Sequence, residues 1–284
     1  MELVILSGKG GTGKTTIATA LGEFSKNVIR IDCDVDAPNF YLFYEGRDIK
    51  KETFIGGKKA LIDNCICKKC GMCEVVCKFS AIENYKINSF ICEGCGACTL
   101  VCKYDAIQLK DEKVADIFLT ELNKGIISRA KMEIGSDGSG KLIAQLRKNG
   151  KNVNEDGQLT IVDGSPGIGC SVISSITGSD AVLVVTEPTK SGLKDLMRVV
   201  KLCEHFDIYT MVCINKYDIN NEMSIEIEDF TISKGLKLVG KIPYDNIVMK
   251  SINELKPITN YSDSIAKSAI EDMWNNIKNN IKIY

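Results

Sequence analysis

Short apolar runs alternate with amphipathic stretches along most of the chain. "LVILS" (3–7) precedes a helical pattern near 14–25, and "NVIRID" (27–32) precedes a polar turn. After a long interruption come "LTIVD" (159–163), "AVLVVTE" (181–187), "YTMVCIN" (209–215) and "LKLVGKI" (236–242). Helical patterns separate these runs, among them 190–206 and 222–235. Strands this continuously apolar leave no polar face for water. Separated by helices, they predict βαβ units: an α/β fold with a mostly parallel sheet and helices on both faces. A last helix, about 262–281, carries Ile265, Ala269, Ile270, Met273, Trp274, Ile277 and Ile281 on one stripe. Its other face is mixed rather than basic, which fits core packing and not a membrane foot.

The interruption, about 46–155, carries a different pattern. Residues 67–82 and 92–107 align with an offset of 25, sharing nine of sixteen positions, including every cysteine, one glycine and the closing Ala-Ile. Such a duplication predicts two similar halves about a pseudo-twofold axis. Residues 114–134 are expected to form a hairpin, and "SGKLIAQLRKNG" (139–150) a helix returning to the main sheet.

Composition narrows the classes. With 284 residues, 44% hydrophobic and 26% charged, the chain can bury a substantial core. A net charge of −1 gives no electrostatic footprint for nucleic acid or an anionic membrane. Met1 leads directly into an apolar strand and no run of 18 apolar residues occurs, so a cytoplasmic protein without a stable membrane anchor is expected. Thirteen cysteines in such a compartment argue against a disulfide scaffold. The one histidine, His205, falls near a helix C-terminus, where the dipole favours it, and leaves no partner for a histidine metal site or triad.

"GKGGTGKTT" (8–16) sits between a strand and a helix, the context that a phosphate loop requires. Gly8, Gly10, Gly11 and Gly13 let backbone N–H groups, with those of Thr12 and Thr16, surround phosphate oxygens. Lys14 can neutralise the β and γ phosphates, and the Thr15 hydroxyl can ligate Mg²⁺. Lys9 is a second lysine, five residues before Lys14. In this the chain resembles the MinD/ParA/Mrp and nitrogenase iron protein group of P-loop NTPases, the SIMIBI type with a deviant Walker A loop. The resemblance implies an ATP-dependent dimer, with itself or with a related ATPase, in which Lys9 reaches the partner's nucleotide. In "IDCDVDAPN" it implies that Asp34 positions the attacking water and that Asp32 lies near Mg²⁺. In "IVDGSPGIG" it implies that Asp163 holds Mg²⁺ through water and that Gly167 senses the γ phosphate. Asp36 reads better as a turn residue. "INKYD" (214–218) matches the string with which GTPases read guanine. In the resembling group Asn215 instead contacts adenine, with Lys216 and the backbone near Pro243 beside it, so ATP is the expected nucleotide.

Each cysteine half has the spacing C-x₂-C-x₂-C-x₃-C, in which three cysteines hold one cubane and the fourth reaches the other. One [4Fe-4S] cluster would take Cys67, Cys70, Cys73 and Cys102; the second would take Cys92, Cys95, Cys98 and Cys77. Residues 64–108 resemble bacterial two-cluster ferredoxins; zinc prefers CxxC pairs with a longer spacer. Lys78 and Lys103 stand where the ferredoxin pattern has proline, adding an N–H donor and positive charge that favour a reduced cluster. Of the other cysteines, Cys33, Cys203 and Cys213 read as small buried hydrophobes, Cys65 as incidental, and Cys170 as a packing residue beside a switch-like loop.

The whole chain resembles MinD-superfamily ATPases with an inserted ferredoxin domain. The expected domains are 1–45 with 155–284 for the ATPase, 64–108 for the 2[4Fe-4S] ferredoxin-like insertion, and 109–154 for the returning hairpin and helix. The first functional expectation is an ATPase with Mg²⁺ and two clusters that couples nucleotide-driven dimer changes to electron transfer between a redox donor and acceptor protein. The alternatives are an iron–sulfur assembly or carrier ATPase, and a non-redox positioning ATPase.

Overall fold

The computed structural model describes residues 1–136, 138–154 and 158–281. The chain opens with β1 (Glu2–Leu6), passes the glycine loop into α1 (Lys14–Phe24) and returns in β2 (Val28–Asp32). β3 (Gly46–Ile62) leads to the cysteine repeat, whose elements are α2 (Met72–Val76), β4 (Ile82–Glu83), β5 (Lys86–Ile87) and α3 (Ala97–Val101). Then come β6 (Ile107–Leu122), β7 (Gly125–Met132), α4 (Gly140–Asn152), β8 (Thr160–Asp163), α5 (Cys170–Ile176) and β9 (Ala181–Thr186). The remainder is α6 (Lys190–His205), β10 (Tyr209–Asn215), α7 (Asn221–Ser233), β11 (Lys237–Ile242), α8 (Asn246–Asn253) and α9 (Ile265–Ile281). Among the described residues no helix is long and apolar enough to cross a membrane.

Nine strands form one sheet in the order β11-β10-β9-β1-β8-β2-β7-β6-β3. Every neighbouring pair from β11 to β7 is parallel, so the sheet is mostly parallel, as the apolar runs predict. β8 lies between β1 and β2, with Val4 opposite Val162 and Arg30 opposite Ile161, while β9 flanks β1 on its other side. Chain order therefore reverses at β1, and the loops beyond the strand ends there open the crevice where α/β sheets bind ligands.

Both faces of this sheet are covered. Leu3 and Ile5 of β1 join Ile17 and Leu21 of α1 and Ile270, Met273, Trp274 and Ile277 of α9 in one buried cluster. Across the sheet, α4 comes so close to β2 that a Cβ on Gly150 would lie 2.7 Å from Ile31. Arg147 of α4 donates to Glu2 Oε1 (2.6 Å) and to the carbonyls of Ser174 and Thr177 (2.8 Å each), tying α4 to β1 and to the end of α5. Ile265, expected on the buried stripe of α9, is 58% exposed because it opens the helix; Ala266 takes the buried place.

The chain divides into two compact units. The first holds Met1–Lys51, Ile117–Lys131 and Gly138–Tyr284; the second holds Glu52–Asp116 and Met132–Asp137. β6 and β7 turn at Asn123-Lys124, and Gly125 takes a φ of +100° with its Cα against the carbonyl of Val28, which leaves no room for a side chain. β3 carries no continuous apolar run in the sequence, its apolar residues being broken up by lysines and a Gly-Gly pair. It is the edge strand of the sheet, mostly exposed, and its lysines are the kind that keep an edge from pairing with another chain.

Candidate functional site

In the first unit the glycine loop lies between the end of β1 and the start of α1. Gly13 has a φ of +87°, and a Cβ there would strike the Asn215 side chain. The Asn215 amide nitrogen donates to the Thr12 carbonyl (2.8 Å), so the end of β10 holds the loop in shape. Gly167 N–H donates to the Ser7 carbonyl (2.9 Å), anchoring the loop after β8 to the end of β1.

Three carboxylates gather around one lysine. Lys14 Nζ lies 2.5 Å from Asp163 Oδ1 and 3.6 Å from Asp34 Oδ2, and Thr15 Oγ1 donates to Asp163 Oδ2 at 2.7 Å. Burial pulls the Lys14 ammonium down, but Asp163 and then Asp34 outweigh it and hold its pKa above the ordinary value. Burial, opposed by Lys14, raises the Asp34 carboxyl. Asp32 is fully buried and is raised well above the carboxylate range by burial and by Asp163. Its oxygens accept the backbone N–H groups of Asp34 and Phe40 (3.2 Å each), so Asp32 shapes the loop after β2. One ammonium against three carboxylates is a surplus of negative charge that a divalent cation relieves. Asp36 accepts the Gly138 N–H (2.9 Å) and is a loop tether.

Beside the loop, a cavity of about 190 Å³ is floored by Gly11, Gly13, Thr16 and Asn215 and walled by Pro243, Tyr244, Met249 and Ile252, with Lys216 at its margin. An apolar hollow of this size with polar groups at one end suits a planar base. Asp218 accepts the Tyr244 N–H at 2.7 Å, and so serves the wall of the cavity. Asp245 caps α8 through the Ile247 N–H (2.8 Å) and receives the Ala266 N–H (3.1 Å) and the Ser264 hydroxyl (2.6 Å); these bonds hold its carboxyl below the ordinary value against a burial effect that raises it.

Glu187, just past β9, has no motif to announce it. Its carboxylate takes Lys216 Nζ at 2.6 Å and Lys9 Nζ at 3.4 Å. An acid following an apolar strand in "VVTEPT" was the available signal. The apolar wall from α8, Met249 and Ile252, also went unread, since "NIVMKSIN" carries no nucleotide motif.

In the second unit the eight ligand-type cysteines fall into two sets. One cavity is lined by Cys67, Cys70, Cys73 and Cys102, the other by Cys77, Cys92, Cys95 and Cys98. The backbone repeats with the sequence. Lys69 N–H and Gly94 N–H each meet the sulfur two residues back (3.4 Å), and Ala81 and Ala106 each meet the sulfur four residues back (3.3 Å). Asn88 N–H donates to the Ala81 carbonyl as Asp63 N–H donates to that of Ala106 (2.8 Å each). The second bond joins the two ends of the repeat, which is why the unit can be entered and left at one place. Lys78 and Lys103 are both exposed, and the N–H groups found on sulfur are those of Lys69, Ala81, Gly94 and Ala106. Among the described residues no three of His, Cys, Asp or Glu form a group that could hold a single metal ion. Cys33, Cys203 and Cys213 are buried and burial pushes their thiols up, that of Cys203 to about 11; Cys65 and Cys170 are exposed.

Residues 3–258 match the family profile described as the CobQ/CobB/MinD/ParA nucleotide binding domain. An uncharacterised protein of Methanocaldococcus jannaschii is 36% identical over 98% of this chain and 96% of its own. The septum site-determining protein MinD of Buchnera aphidicola is 23% identical over 97% of this chain and 90% of its own. Among solved structures, MinD from Pyrococcus horikoshii, complexed with Mg-ADP, is similar with a TM-score of 0.59 and 18% identity, covering 97% of this chain and 95% of that one.

Proposed function

Because the chain belongs to the CobQ/CobB/MinD/ParA nucleotide-binding family, we propose that it is an ATPase whose nucleotide cycle serves a two-cluster iron–sulfur unit. The observation that carries the reading is the sorting of eight cysteines into two quartets, each on its own cavity and each trading one cysteine with the other half. Backbone N–H groups already aimed at Cys67, Cys77, Cys92 and Cys102 suit sulfurs that carry negative charge. Sulfurs spread around a hollow, with no trio able to close on one ion, suit a cubane better than tetrahedral zinc. Bound there, two [4Fe-4S] clusters supply one-electron chemistry.

At the nucleotide site Lys14, now held by Asp163, would exchange that carboxylate for the β and γ phosphates. Thr15 and Asp163 then stand free to hold Mg²⁺, which keeps waters and phosphate oxygens for its remaining positions and needs no three protein ligands. Asp34, 3.6 Å from Lys14, is placed to orient a water. Its raised pKa suits a group that must take and release a proton. Adenine fits the cavity beside Asn215, and Asp218, committed to Tyr244, has no part in reading a base.

A second reading, a positioning ATPase of the MinD/ParA kind with no redox step, draws on the family itself and on the relatives named MinD. One experiment separates them. Anaerobically purified protein should carry about eight irons per chain, two clusters of four, and should reduce a one-electron acceptor at a rate that changes on adding Mg-ATP. Full iron with an ATP-independent rate would leave the ATPase and the clusters uncoupled; fewer than about four irons would return the chain to the positioning reading.

A further inference from the structure

The two halves of the cysteine unit share a backbone but not a lining, and the differences fall at equivalent positions. Lys68 lines the cavity of Cys67, Cys70, Cys73 and Cys102; its counterpart 25 residues on, Glu93, lines the other. Tyr104 lines the first cavity where Phe79 lines the second, Tyr85 where Ala60 does, and Met72 where Ala97 does. At four matched places the first cavity has a cation, two phenols and a thioether; the second has a carboxylate, a phenyl ring and two methyl groups.

Charges further out are of both signs around each quartet. Lys69 and Lys103 adjoin ligands of the first quartet in sequence and Lys78 adjoins one of the second. Glu74 sits beside Cys73 and accepts the Tyr85 N–H at 2.7 Å, setting one negative charge against the first group of lysines. Lys59 donates to the carbonyl of Cys92 at 2.7 Å, but Glu112 lies 3.4 Å from its ammonium and offsets it. On the side of the first quartet Asp63 accepts the Cys65 N–H at 2.9 Å and Asp105 lies between Tyr104 and Ala106, so the outer charges offset one another and the contrast rests on the groups that line the two cavities.

Adding an electron makes a cluster more negative, so positive charge and hydrogen-bond donors nearby favour the reduced form, whereas a carboxylate and an apolar wall disfavour it. We infer that the two sites are electronically unequal: the first electron to enter the unit rests on the cluster held by Cys67, Cys70, Cys73 and Cys102. An outside one-electron reductant is oxidised as that cluster passes from the 2+ to the 1+ level; no bond forms or breaks and no proton moves. The inference rests on the two-cluster reading, and iron content tests that reading separately.

The test is a potentiometric titration of the iron-loaded protein followed by EPR, with dithionite as reductant and the cysteine β-protons assigned by paramagnetic NMR. The expected result is two one-electron steps, with the first electron on the Lys68 side by about tenfold or more, which is 59 mV for one electron. Lys68→Glu should lower the higher potential and leave the other in place. Glu93→Lys should raise the lower one, and the double exchange should close or reverse the gap. Both side chains are exposed, so folding is not at stake, and iron content confirms it. Equal potentials, a first electron on the Glu93 side, or charge variants that move neither step would overturn the inference. About four irons or fewer would instead strike the two-cluster reading beneath it.

Discussion

The nucleotide site and the cysteine unit are built in opposite ways. Lys14 and Asp163, ion-paired at 2.5 Å, are 149 residues apart in sequence, and Asn215 reaches back 203 residues to the Thr12 carbonyl. That site exists only once a large sheet has assembled, and a buried cluster spanning β1, α1, β9, β10 and α9 supports it. In the cysteine unit three cysteines of each quartet lie within seven residues of chain, and the buried cluster is small: Ala60, Ala81, Ile82 and Ile107 with three of the cysteines. A core that small rarely stabilises a fold by itself, and bound metal commonly supplies the rest. The first unit thus makes its site from its fold, whereas on the two-cluster reading the second would depend on its clusters for its fold.

On the two-cluster reading, the largest effect should come from removing the iron. Chelation under oxidising conditions should expose residues 52–116 to limited proteolysis while nucleotide affinity stays within about twofold, since the first unit has its own core. Loss of both together would erase the contrast. Next, Lys14→Ala should lower ATP hydrolysis by about 10²-fold or more, the scale for removing a preorganised charge, with iron content unchanged. Asp245→Ala should cost about 1–2 kcal/mol, since one carboxylate serves the starts of both α8 and α9; the readout is the urea midpoint of the first unit, with the EPR signal of the second held constant.

A smaller effect concerns pH. Burial holds the folded pKa values of Asp34 and Asp32 above the ordinary carboxylate value, so between that value and their raised ones the native state binds more protons than the unfolded. Their contribution therefore opposes folding at neutral pH and diminishes as pH falls through the raised values. Nucleotide-free protein should show a urea midpoint that rises more, as pH is lowered from neutral toward the ordinary carboxylate value, in the native sequence than in Asp34→Asn. Mg-ATP should reduce that difference. The smallest effect is on base choice. Asp218→Asn keeps an acceptor for the Tyr244 N–H and should leave the ATP-over-GTP preference within about threefold, far below the loss that follows when a base-reading hydrogen bond is removed.

Legibility followed the same division. The glycine loop, the apolar strands and the cysteine spacing announce themselves because each is a local pattern with a local cause. β3 did not: seven of its 17 residues are charged and most are exposed, because an edge strand that meets a core only near Ala60 has little apolar face to display. α8 was missed because eight residues are barely two turns, too few for its apolar positions Ile247, Val248 and Ile252 to be told from a strand-like run. Glu187 was missed because its partners, Lys9 and Lys216, come from the ends of two other strands. "INKYD" matches a guanine-reading string, but where its Asp218 goes, onto the Tyr244 N–H, is a bond across 26 residues that the sequence does not display.

By itself, then, the sequence determined the parallel α/β class, the place of the phosphate loop and the twofold repeat of the cysteines. These depend on periodicity and spacing, which the chain carries locally. Only the tertiary structure decided which carboxylate meets Lys14, that Asp218 serves a wall and Glu187 two lysines, and that the two cysteine cavities are lined with opposite charge. Those depend on which strand ends and which repeat faces are brought together, and that is fixed by burial of the whole sheet and by closure of the repeat on itself.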